Sequence, residues 1–299
     1  MSRSKKRRQK NRKNVCSSFH PALNLLFFVT VITCTVRFQH PVFLGISLCS
    51  SILLSVLYGK KSIAFYFVCF LIIPIYTGWY ALFHHFGVTN IGTTWIGNHF
   101  TLEALVYGCV RAMILVNVLL WFSYMYTVMT SDKIIYLFGK IAPKISLFLA
   151  ILFRTVPRIK ERFHKIEEAQ SGIGRGIHQG GFLVRIKNFF RLLSILLTWT
   201  LDSFGEASDS MKSRGYTLNG RTAFSIYRFD NRDRLFTIFQ FFLLTIIGMG
   251  AMLDQTDILY NPEILWNPIT PISYLFYTAY TILCMQPIAI ELSTKIITK

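Results

Sequence analysis

Hydrophobic positions in this chain come in long unbroken runs, without the short alternations or narrow stripes of a soluble fold. A helix that crosses a bilayer needs about 20 mainly apolar residues, with a range of about 17 to 25. Six windows meet or approach that length: 21–37, 41–58, 62–83, 102–128, 235–253 and 271–291. Two further apolar stretches, Ile145–Val156 and Leu192–Leu201, are too short to span and suit core, re-entrant or interfacial helices.

Between the fourth and fifth windows the pattern changes. Residues 130–234 hold 18 basic and 9 acidic side chains. Thr130-Ser-Asp132 has the composition of a helix N-cap, and the segment that follows is punctuated by Gly139 and Pro143. From Pro157 the periodicity predicts an amphipathic helix, with Ile159, Phe163 and Ile166 on one stripe at i, i+4, i+7. Glu161 and Lys165 are spaced to pair on its wet side, worth about 0.2–0.5 kcal/mol. The helix runs out in Ser171-Gly-Ile-Gly-Arg-Gly176, where three glycines in five residues oppose regular structure. A second striped helix begins at Phe182 and extends to Lys212, with Asp202, Glu206 and Asp209 on its polar side. It stops at Ser213-Arg-Gly-Tyr216, and Asn219-Gly220 predicts a turn beyond.

Composition agrees with the runs. Hydrophobic residues make up 53% of the 299, charged residues only 15% against about 25% in soluble domains, and mean hydropathy is +0.44. A soluble enzyme is excluded on this ground. The net charge of +18 then orients the spans, because Lys and Arg stay on the cytoplasmic side. With six crossings and both ends inside, the inner side holds eight of them in residues 1–13, Lys60 and Lys61, eighteen from Lys133 to Arg234, and Lys295 and Lys299. Only Arg37 is left outside and Arg111 within a span. The expectation is an all-α membrane protein in the cell membrane. A basic cytoplasmic tail (1–17) precedes four spans within 18–129, a cytoplasmic helical region (130–234), and two more spans with a short cytoplasmic end (235–299). The first apolar run lacks a small-x-small cleavage site and reads as a retained anchor.

The charged features have bland readings to weigh. The tail Ser2-Arg-Ser-Lys-Lys-Arg-Arg-Gln-Lys-Asn-Arg-Lys13 suits a topology anchor on anionic headgroups. Nucleic acid is disfavoured as its partner, since no aromatics interleave with the charges. The six cysteines show no metal-ligand spacing and read as small buried hydrophobes. His84, His85 and His99 have no carboxylate spaced with them, so no metal or cofactor is expected. Arg111 is an intramembrane charge, with Glu103 eight residues earlier, and reads first as structurally paired. Asp254, Asp257 and Glu263 read as a solvated face, and Trp79, Trp95 and Trp266 as an aromatic belt.

Each of the two predicted cytoplasmic helices is followed by a small residue, an arginine and a glycine: Gly174-Arg175-Gly176 and Ser213-Arg214-Gly215. Glycine can supply the left-handed cap that closes a helix. An arginine there complements the negative end of the helix dipole, worth about 0.3–1 kcal/mol, and projects a five-donor fork toward a partner's carboxylate or carbonyls.

The residues around these boxes carry a resemblance. Arg154-Thr-Val-Pro157, Glu167-Glu-Ala-Gln170 and Arg175-Gly176 resemble the first signature of the transmembrane T component of energy-coupling factor (ECF) transporters. Glu206-Ala-Ser-Asp-Ser-Met-Lys-Ser-Arg-Gly-Tyr216 with Arg221-Thr222 resembles the second, and His20-Pro-Ala-Leu-Asn-Leu-Leu26 is similar to the family's entry into its first span. The approach to Gly174 is longer and richer in glycine than the family pattern, and Asn24 stands where a basic residue is usual.

The resemblance implies a scaffold without catalytic residues. Two coupling helices would end in grooves of two ABC-type ATPase subunits, with Gly174, Arg175, Gly176, Ser213, Arg214 and Gly215 as the contact. The membrane helices would hold one small substrate-binding membrane subunit that delivers a vitamin or a transition-metal ion. The chain itself has no G-x-x-x-x-G-K-[ST] loop for ATP. A polytopic membrane enzyme and a secondary transporter are the competing classes. The first lacks an H-E-x-x-H or G-x-S-x-G box, the second lacks matched broken spans.

Overall fold

The computed structural model describes residues 19–58, 62–84, 86–93, 99–216, 227, 229–260, 263–265 and 270–297. The predicted basic tail, the Asn219-Gly220 turn, Arg221-Thr222, His85, Trp95 and Trp266 lie outside these. The described residues form helices α1 (Pro21–Arg37), α2 (Pro41–Tyr58), α3 (Ile63–Phe83), α4 (Leu102–Val128), α5 (Ser131–Ile141), α6 (Pro143–Gly172), α7 (Phe182–Ser213), α8 (Asn231–Met252) and α9 (Pro271–Ile297). A short antiparallel pair, β1 (Asn90–Thr93) and β2 (His99–Thr101), joins α3 to α4. The chain divides into two compact units, one of Met1–Thr130 with Tyr227–Lys299, the other of Ser131–Ile226.

In the first unit, α2, α3, α4 and α8 are long and apolar enough to cross a membrane. The 17-residue α1 is apolar but shorter, and α9 carries Pro287 within its length. The fold is that of an all-α membrane protein. Long apolar runs become helices because a lipid-facing backbone must satisfy its own N–H and C=O groups.

What packs these helices is small and polar. Ser47, Ser50, Ser51 and Ser55 form a buried stripe along α2 and permit close approach of neighbouring backbones. The Trp121 indole of α4, fully buried, donates to Ser47 Oγ at 2.9 Å. Thr35 of α1 shares hydrogen bonds with Ser47 (3.0 Å) and with the Tyr280 hydroxyl of α9 (3.2 Å). Asn117 accepts from Ser51 Oγ and donates to the Leu44 carbonyl, both at 3.2 Å. Phe27 and Phe28 meet Trp121 and Tyr124 edge-on. Four helices are thereby tied at one level of the bundle.

The corner between α1 and α2 is clasped to the segment after α8. Arg37 pairs with Asp257 at 2.7 Å, the His40 N–H donates to the Thr256 carbonyl, and the Tyr260 hydroxyl donates to the Gln39 carbonyl. Burial pushes the Tyr260 phenol up to about 12, so it stays a donor. Asp257 is therefore not part of a merely solvated acidic face. Among the described cysteines all are free; Cys34, Cys69 and Cys284 are buried as expected, whereas Cys49 is exposed on α2.

The second unit is α5, α6 and α7. The predicted stripe forms its centre: Ile166 packs with Leu192 and Leu196 of α7, with Ile159, Phe163 and Ile177 around them. Arg162 bridges the two helices, donating to the Trp199 carbonyl and to Ser203 Oγ, each at 3.1 Å. Two expectations are corrected. The helix does not begin after Pro157; α6 starts at Pro143, in the first turn where a missing N–H costs nothing, and continues through Pro157. Proline there removes one hydrogen bond, to the Phe153 carbonyl, and packing overrides that loss. Nor do Glu161 and Lys165 form an ion pair; the acidic side chain engaged on α6 is Glu167, which lies 4.0 Å from His164 and 3.9 Å from His178.

Candidate functional site

Both predicted helix ends close with the same hydrogen-bond pattern. At the end of α6, Gly174 takes φ +76°, its N–H donates to the Ser171 carbonyl (3.1 Å), and the Arg175 N–H donates to the Gln170 carbonyl (2.9 Å). At the end of α7, Gly215 takes φ +73°, its N–H donates to the Lys212 carbonyl (3.0 Å), and the Tyr216 N–H donates to the Met211 carbonyl (3.1 Å). Each is a paired 6→1 and 5→2 closure around one left-handed residue, the Schellman arrangement. The left-handed conformation is why glycine stands at both positions.

The two boxes are nevertheless not equivalent residue for residue. In the second, Arg214 is the capping residue and Gly215 the left-handed one. In the first, Gly174 takes the left-handed position, so Arg175 falls beyond it and Gly176 further still. Arg175 is displaced by two positions relative to the helix end. The extra glycine in Ser171-Gly-Ile-Gly174 is the cause, since it ends the helix before the arginine is reached.

A second set of bonds compensates for that displacement. Gly176 is buried, and its carbonyl accepts from Asn188 Nδ2 of α7 at 3.1 Å. Its N–H donates to Gln179 Oε1 at 2.9 Å, while Gln179 Nε2 donates to the Ser171 carbonyl. Only 5% of Asn188 is exposed. The first arginine turn is thus latched to the side of α7. Sequence reasoning missed Asn188 and Gln179; the available signal was an amide four residues before Leu192, in line with Leu192 and Leu196 on the buried stripe of α7.

Arg175 and Arg214 are exposed, and neither side chain makes a hydrogen bond or ion pair with another described residue. Because Gly176 is bonded to Asn188, the rise of α7 from there to Ser213 sets the separation of the boxes at roughly 37 Å. The site is a pair of separate, similarly capped helix ends, each offering a free guanidinium beside the negative pole of a long helix.

Elsewhere, His84 stacks flat on Tyr80 at 3.9 Å, and among the described residues no group of three His, Cys, Asp or Glu side chains could hold a metal ion. Glu103 is not paired with Arg111; its carboxylate accepts from the Thr89 N–H at 3.1 Å. Asn24 is buried near the start of α1, and His20 accepts the Ala22 N–H at that helix's entry.

The fold and these turns define a helical membrane protein with a separate unit of long capped helices. The sequence profile of the cobalt transport protein family, CbiQ, matches residues 12–224, which include both arginine turns. The chain belongs to this family. It is also 31% identical over 102 residues to the energy-coupling factor transporter transmembrane protein EcfT of Lactobacillus helveticus (strain DPC 4571). That match takes in 34% of this chain and spans only about a third, 36%, of the relative's length.

Proposed function

We propose that this chain is the transmembrane scaffold and coupling subunit of an ECF-type ABC importer. It crosses the membrane six times with both ends in the cytoplasm. It transmits the motion of two ATPase subunits to a small membrane subunit that binds a vitamin or a transition-metal ion. ATP is hydrolysed by the partners, and this chain carries no catalytic residue of its own.

The observation that carries the reading is the pair of Schellman-capped helix ends with free arginines, roughly 37 Å apart along α7. One groove on one protein cannot take both ends; two copies of a similar groove can. Helix-in-groove docking then gives each ATPase its own arginine. Closing and opening of the ATPase pair changes the distance between its grooves, and α6 and α7, locked at Arg162 and at Asn188, carry that change into the rest of the chain. A shift of a few kcal/mol between two states suffices to change their populations.

The test is a pull-down of the tagged chain from detergent-solubilised native membranes, with the copurifying proteins identified and ATPase activity measured. P-loop ATPases and a small, very apolar membrane protein are the expected companions. The chain recovered without any ATPase refutes the proposal. In the same assay Arg214→Glu is expected to lower ATPase recovery more than Arg175→Glu, because Arg214 caps its helix directly. Equal recovery in both variants and the wild type refutes the role of the arginines.

A further inference from the structure

Arg111 is a charge at membrane depth whose donors the described residues satisfy only in part. Two contacts set its level. Gly108 is pressed against α3, where an added Cβ would stand 3.2 Å from Tyr80 Cβ and 3.3 Å from the Thr77 carbonyl oxygen. Further along, Cys69 clusters with Val116 and Leu120. The two helices therefore run antiparallel with Gly108 opposite residues 77–80, and Arg111 opposite about 74–77. The 21 residues of α3 span about 31 Å, close to the ~30 Å of a hydrocarbon core. Arg111 thus starts roughly 11 Å below the Phe83 end.

Its guanidinium leans one turn back toward that end. Nε donates to the Tyr107 hydroxyl at 2.8 Å, Nη2 donates to the same oxygen, and Cζ lies 4.9 Å from the centre of the Tyr107 ring. One turn recovers about 5 Å, which leaves the charge several ångströms short of the headgroups. One phenol oxygen takes two of the five donors, and three are left. Among the described residues no carboxylate lies within 4 Å of Arg111.

Arg111 also heads a row. Arg111, Leu115, Leu119, Phe122 and Tyr126 are the exposed residues of α4 beyond Leu102, spaced by four, four, three and four on one stripe. A stripe of leucine and phenylalanine alone would suit lipid tails. The arginine at its head, with no carboxylate partner among the described residues, does not, since tails offer no acceptor. We propose that this stripe seats a transmembrane helix of a second membrane protein, whose aspartate or glutamate, at the level of Arg111, completes the guanidinium's set of acceptors. Identifying that protein as the substrate-binding subunit rests on the function proposed above; the seat itself does not.

The experiment uses the full chain in native membranes, with a photocrosslinking phenylalanine at Leu115 or Phe122 and, as a control, at the exposed Phe70 of α3. The expected result is a crosslink from α4 to a transmembrane peptide that contains Asp or Glu. Its yield falls about tenfold or more with Arg111→Glu, and reversing the partner's carboxylate to arginine restores it. Crosslinks to phospholipid alone overturn the proposal and make Arg111 a snorkelling residue; so does a yield that Arg111→Glu leaves unchanged. The crosslinks in the otherwise wild-type chain stand even if the arginine variants fail to insert. ATPase subunits are followed in the same preparations. Their presence with lipid crosslinks only refutes this seat and leaves the coupling function standing, whereas stripe crosslinks without ATPases support the seat and refute the coupling function.

Discussion

Gly215→Ala isolates the geometry that aims Arg214. Gly215 holds φ +73°, a region in which an L-residue meets its own carbonyl at a cost of about 1–2 kcal/mol. That cost falls on one turn. Gly215→Ala would lower the closed population of this turn by a factor of about 5–30, and the bonds from residue 215 to Lys212 and from Tyr216 to Met211 would be the ones to open. Arg214, directly between them, would lose its fixed direction while keeping its charge. The assay is ATPase recovery and coupled uptake in reconstituted vesicles, with Gly215→Asn as the milder change because asparagine tolerates this conformation better. The expected order of activity is wild type, then Gly215→Asn, then Gly215→Ala, with the helix content of the unit unchanged. Gly174→Ala carries the same backbone cost and no other, since nothing lies within 4 Å of an added Cβ there. Full activity of Gly215→Ala alongside loss in Arg214→Glu would refute the idea that the cap, and not merely the charge, positions the arginine.

Other consequences follow from single contacts. Asn188→Leu removes the latch on Gly176 and is expected to reduce ATPase recovery while Arg175 itself is intact; limited proteolysis should show faster cleavage at residues 173–181, and unchanged cleavage would contradict the latch. Trp121→Phe deletes the bond to Ser47 and leaves a small void, with an expected loss of about 1–3 kcal/mol read as a lowered Tm in detergent. His40 supplies a pH dependence. Its Nδ1 accepts the Val42 N–H, and burial holds its pKa below the ordinary 6.5. Below pH 6.5 the unfolded chain takes up a proton that the folded chain resists, so stability falls with pH until the folded pKa is passed. Tm should drop between pH 7.5 and 5.5, and His40→Gln should flatten that slope; an equal slope in both chains would exclude His40 as its source.

Much of this architecture was legible along the chain. Runs of apolar residues set the boundaries of α1 to α4 to within a residue or two, because length and apolarity are one-dimensional properties that the bilayer reads directly. The stripe Ile159, Phe163, Ile166 and the glycines that end α6 and α7 are local patterns of the same kind. Continuation of α6 through Pro157 was not legible, since a local breaking signal was outweighed by packing against α7. Glu161 and Lys165 had the right spacing for a pair and did not make it, while Asp257 found Arg37 some 220 residues away.

The arginine boxes divide along the same line. Sequence by itself determined that two arginines stand beside glycines at two helix ends, because the cap is a matter of three or four consecutive residues and their allowed φ angles. Tertiary structure alone decided that the boxes differ by two positions in register, that Asn188 restrains the first, and that α7 holds the two roughly 37 Å apart. Those are distances between residues remote in the chain, and only the packing of α6 on α7 sets them.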